Sequence, residues 1–124
     1  MPTQFSKSAI IEKNKIAIDV CDSSIDRLES IVGLSNAREI IRIAQLSRAI
    51  NEKTFLRQIT AHLRAAGTTF RPMDDALATE LNDLANQLDR KIQNNLIINA
   101  SVEFITSVLN DVSKLRTIAD SHKV

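Results

Sequence analysis

Apolar residues recur along this chain at helical spacing, and nowhere with the alternation of a half-buried strand. Ile11, Ile18, Ile25 and Val32 fall seven apart, with Cys21 and Leu28 between them and Ile10 and Ile31 widening the stripe. That period predicts a first helix from about Ser6 to Val32. Gly33 follows as a residue free to turn left-handed. Ser35 or Asn36 can cap the next helix, with Glu39 three residues after Asn36 as in a loose capping box. The second helix is predicted from about Ala37 to Ala66. Its apolar side is expected to be Ile40, Ile43, Ala44, Ile50, Phe55, Ala61, His62 and Ala66. Gly67 ends it, and Gly67 to Pro72 is the one linker. Pro72 suits a first helical position, and Asp74 and Asp75 favour the positive end of the helix beyond.

From Met73 to about Ala119 neither Gly nor Pro interrupts the pattern, and one heptad register holds throughout. Leu81, Leu88, Asn95, Val102, Leu109 and Arg116 take one seam position. Leu77, Leu84, Lys91, Ile98, Ile105, Val112 and Ala119 take the other. The unbroken register predicts a single helix of roughly 70 Å. A turn at Gln93-Asn94-Asn95, where Lys91 and Asn95 make the seam polar, is the competing reading. The expected fold is therefore all-α: one domain over residues 1–124, an elongated antiparallel bundle of three helices, or of four if the long C-terminal helix breaks near residue 94. Two shorter helices cannot cover a much longer one, so the later seam is expected to stay exposed. Ile98, Val102, Ile105, Leu109 and Val112 are then the expected partner-binding residues. In an ordinary four-helix bundle the same stripe is core.

Composition narrows the chemistry. Two Gly and two Pro in 124 residues argue against turn-rich β folds and Gly-rich phosphate loops. Sixteen basic against fifteen acidic residues, a formal charge of +1, give no field for nucleic acid or membrane. The single Cys21 excludes internal disulfides and CxxC motifs, and suits an inert core thiol. Two histidines, with no HExxH and no Glu-x-x-His, leave a metal without ligands. No metal, cofactor or enzyme activity is expected. No stretch is long and apolar enough to span a bilayer, and MPTQFSKSAIIEKNK lacks a signal-peptide pattern, so the expected compartment is the cytoplasm.

Two features of the second helix bear on function. Arg38, Arg42, Lys53, Arg57 and Arg64 span only about 100° of the helical wheel, a stripe that reads as a solvated face or as a contact for an acidic partner. Without stacking aromatics beside it, it does not read as a nucleic-acid site. Ala61-His62-Leu63-Arg64-Ala65-Ala66-Gly67 is loosely similar to the His-bearing helix of histidine phosphotransfer domains, one residue short of the usual spacing. His62 is expected on the apolar side, as a partly buried structural residue.

The C-terminal half resembles the small cytoplasmic chaperones of flagellar type III export, the FlgN kind that guards hook–filament junction proteins. The residues that carry this are Leu77, Leu81, Leu84 and Leu88, then Asn94-Asn95-Leu96-Ile97, then Ser101, Val102, Phe104, Ile105 and Leu109. The resemblance covers about residues 50–115 and implies a partner: an amphipathic segment of an export client, such as a hook-associated flagellar protein, laid helix-in-groove along Val102, Ile105, Leu109 and Val112. Members often carry a tail tyrosine for docking to the export gate, and this chain has no Tyr. A self-assembling helical module, a homodimer through the heptad seam, is the alternative.

Overall fold

A computed structural model describes residues 7–65 and 73–121. The described residues form four helices and no strand: α1 (Lys7–Ser30), α2 (Asn36–Arg64), α3 (Asp75–Gln93) and α4 (Val102–Asp120). The expected linker Gly67 to Pro72 and His122 lie outside them.

The predicted single C-terminal helix is two helices, and the competing break is the correct one. Asn94 ends α3 and Asn95 adopts φ 56°, a left-handed conformation that Asn tolerates better than most residues. The Asn95 N–H donates to the Ile92 carbonyl at 3.0 Å and the Leu96 N–H to the Lys91 carbonyl at 3.0 Å. Those two bonds make a Schellman stop. Buried Ile97 pins the connection to the core, and Ser101 starts α4 by accepting from the Phe104 N–H at 3.1 Å. The register ran on because each helix separately repeats every seven residues and the connection happens to keep the phase.

The other ends follow local chemistry. Gly33 takes φ 77°, as expected of it. Ser35 caps α2, its hydroxyl accepting from the Arg38 N–H at 3.4 Å, and Asp74 caps α3, accepting from Leu77 at 2.8 Å.

Side-chain pairs fix the topology. Arg42 reaches the Leu28 carbonyl, Lys53 reaches Asp22 and Asn14 reaches Thr60, so α1 and α2 run antiparallel. Arg38 pairs with Glu103, Arg48 with Ser113 and Arg116 with Glu52, so α2 and α4 run parallel, side by side. Among the described residues the backbone of α3 runs close to α1 and α4 but not to α2. The order around the bundle is thus α1, α2, α4, α3. Ile10, Val20, Leu56, Ile59, Leu81, Leu88, Val112 and Leu115 belong to a larger core drawn from all four helices, and Leu28, Ala49, Val102, Ile105 and Leu109 to a smaller one beside the α1–α2 turn, with Phe104 touching both.

The seams that close this bundle differ from the predicted stripes in the first two helices. In α1 the buried line is Ile10, Asn14, Ala17, Cys21, Ser24 and Leu28, with Val20 beside it. Ile11, Ile18 and Ile25 only flank it, and Val32 lies beyond the helix, 86% exposed. In α2 the buried line is Ala49, Glu52, Leu56, Ile59 and Leu63. None of these belongs to the expected apolar side.

Candidate functional site

The stripe expected to bind a partner is mostly core. Val102, Ile105, Leu109 and Val112 are buried by the chain's own helices, and Ile98, at 61% exposed, is the one of the five left at the surface. Folding α4 back against α1 and α2 removed the length mismatch on which their exposure rested. Val32, Leu96 and Ile98 are exposed in the connections, but most of the large exposed apolar residues lie on α2.

Helix α2 carries apolar residues on two sides, and the bundle uses only one. Ile40 is 69% and Ile43 53% exposed, and Ile41, Ile50 and Phe55 are also exposed. Ile40, Ile43, Ala44, Ser47, Ile50, Asn51, Thr54 and Gln58 follow one another up the outer side of the helix, and all are exposed. No charge interrupts that line. Its apolar members, Ile40, Ile43, Ala44 and Ile50, are concentrated in the first half of the helix.

The basic stripe explains why this side faces out. Arg38 forms an ion pair with Glu103 at 2.8 Å. Arg42 pairs with Glu39 and donates to the Leu28 carbonyl at 2.9 Å. Lys53 meets Asp22 at 2.5 Å. Three of the five cations are therefore spent on the chain's own groups, along the edges where α2 meets its neighbours, and the stripe is not simply a solvated face. The Arg42 hydrogen bond holds the Glu39 carboxyl below its ordinary range. Glu103 is also lowered, first by the backbone N–H at the head of α4 and then by Arg38.

A second polar stitch holds α2 to α4. Glu52, almost fully buried, accepts from the Ser113 hydroxyl at 2.8 Å and from Arg116 at 2.5 and 3.2 Å. Ser113 in turn accepts from Arg48 at 3.1 Å, and the Arg116 guanidinium lies 5.2 Å from the centre of the Phe55 ring. Every oxygen of Glu52 is satisfied, so a carboxylate can occupy a seam position. The network ties the two helices together, and a cleft of about 240 Å³ lined by Phe55, Gln58, Ile59, Arg116 and Asp120 opens beside it.

The remaining candidate chemistry is sparse. Cys21 is buried, and burial, with the Glu52 and Asp22 carboxylates adding to it, pushes its thiol up to about 12. It is the inert core thiol expected. His62 is exposed on the outer side of α2, not partly buried, because that side of the helix turned to solvent. No cluster of three or more His, Cys, Asp or Glu that could hold a metal is present among the described residues, and none of their helices is long and apolar enough to cross a membrane. A half-open cleft of about 390 Å³ lies between α1 and the last turns of α2, with Ile11, Ile18 and Ala61 in its lining.

Comparison with known protein families, with curated proteins and with solved structures finds no match to this chain.

Proposed function

We propose that this chain is a non-enzymatic helical binding protein that docks an apolar surface of a partner on the outer side of α2. One observation carries the reading: Ile40, Ile43 and Ile50 stand exposed on an uncharged line while Arg38, Arg42 and Lys53 of the same helix are turned to partners within the chain. Contiguous exposed apolar surface marks an interaction site more often than it is left idle. Covering each half-exposed isoleucine contributes roughly 1 kcal/mol, about half of its full burial. The resemblance to export chaperones supports an amphipathic client segment as the partner, with the docking residues on α2 in place of the Val102 to Val112 stripe. A second copy joined through the same helix is the alternative.

The test is a double variant, Ile40→Glu with Ile43→Glu. Both side chains point away from the core, so the melting temperature should stay within a few degrees of the parent. Any partner copurified from the host, or any dimer seen by light scattering, should be lost. A folded variant that keeps its partner refutes the assignment.

A further inference from the structure

The basic stripe of α2 is only partly consumed inside the bundle, and what remains is gathered at one place. Arg57 and Arg64 are the two members without an internal carboxylate, and both line the cleft between α1 and α2, where Lys15 of α1 joins them. Among the described residues, none of these three cations is in an ion pair or hydrogen bond and no acidic side chain lines the cleft. Its apolar lining is Ile11, Ile18 and Ala61. At the same place the Thr60 hydroxyl accepts from Asn14 Nδ2 at 3.3 Å and donates to nothing among the described residues, which leaves its proton for a ligand.

We propose that this cleft is a second binding site, which takes an acidic amphipathic helix of another protein. Arg57 and Arg64 are seven residues apart, about 10 Å along α2, with apolar surface beside them. An acid at position i and another at i+7, with aliphatic residues at i+3 and i+4, matches that arrangement in both spacing and sign. The cleft is an open trough along two antiparallel helices and not an enclosed chamber, which suits a helix laid lengthwise better than a small amphiphile. Charge matching of this kind sets partner choice and encounter rate, and it weakens as salt screens it.

The test uses the full chain, ¹⁵N-labelled, titrated with a synthetic helical peptide carrying Glu at i and i+7 and Leu at i+3 and i+4. Its Gln counterpart and decanoate serve as the two other probes. The expected result is backbone shifts confined to Ile11–Ile18 and Arg57–Arg64 in low salt. Affinity should fall at least tenfold for the Gln peptide, for Arg57→Gln with Arg64→Gln, and on going to about 0.5 M salt. Lys15→Gln provides a milder variant that leaves α2 untouched. Equal binding of the Glu and Gln peptides overturns the proposal, as does full affinity in the folded double variant or no shift up to millimolar peptide. Shifts produced by decanoate and not by the peptide assign the cleft to a small amphiphile instead. Shifts along Ile40–Ile50 report the docking surface on the outer side of α2, so the two sites are read separately in one experiment.

Discussion

Single residues in this bundle act mainly by making unlikely positions tolerable. Glu52 sits in a buried seam because Ser113 and Arg116 between them occupy both of its oxygens; without them an isolated carboxylate there would cost several kcal/mol. Asn14 and Ser24 sit in the α1 seam; the Asn14 amide nitrogen donates to Thr60 across the interface, while the Asn14 Oδ1 and the Ser24 hydroxyl are buried without a partner among the described residues. Surface carboxylates have a smaller part, and one that depends on pH. Glu39 and Glu103 are held below the ordinary value of 4.5 in the folded chain. Between the folded and unfolded values the unfolded chain binds more protons, so stability rises with pH there. Their contribution is complete above about pH 4.5 and is lost as pH falls through the folded values. Thermal melts from pH 7 to pH 3 should show a fall in melting temperature beginning near pH 4.5 that is shallower in Glu103→Gln. Because both groups are exposed, added salt should blunt the difference.

At the scale of elements, the decisive feature is how a helix ends. Asn95 holds the left-handed conformation that stops α3, and a residue with an ordinary Cβ pays roughly 1–2 kcal/mol to do so. Asn95→Ala should therefore lower stability in urea by about 1 kcal/mol, while Asn95→Gly should leave it unchanged or raise it slightly. A larger loss with Gly than with Ala would mean that the Asn side chain, and not its backbone, makes the turn. The seam pattern was legible where every position was apolar. Leu81, Ala85 and Leu88 in α3, and Val102, Ile105, Leu109 and Val112 in α4, repeat at the three-four spacing of a bundle, and all are buried. In α2 the same spacing runs Ala49, Glu52, Leu56, Ile59, Leu63. Glu52 hides it, and the neighbouring run of isoleucines offers a more apolar alternative. In α1, Asn14 and Ser24 hide the true seam in the same way.

At the scale of the molecule, the two helical hairpins cover each other and leave one side of α2 bare. The prediction that separates core from surface is a pair of variants. Ile105→Asp puts a charge where no water reaches, at a cost of several kcal/mol, and should abolish the cooperative melting transition. Ile40→Glu with Ile43→Glu should leave that transition in place. An Ile105→Asp chain that melts like the parent would mean that the α4 seam is not core, and that the longer C-terminal helix forms after all.

The class of the fold, the capped helix start at Ser35, the left-handed Gly33 and the inert Cys21 were all legible in the sequence, whereas the caps at Asp74 and Ser101 emerged only in the structure. The legible features depend on neighbours three or four residues away, so the local chain carries all the information. It also contained both candidate outcomes at Asn95, a continuing heptad and a polar break, without the energy difference between them. Only the tertiary structure decided that difference, because folding back buries Val102, Ile105, Leu109 and Val112 against α1 and α2, a gain that no local rule counts. It also decided which side of α2 faces water. A helix with apolar residues on two sides turns inward the side whose polar members find partners, and Ser113 and Arg116, more than sixty residues away, supply those partners for Glu52.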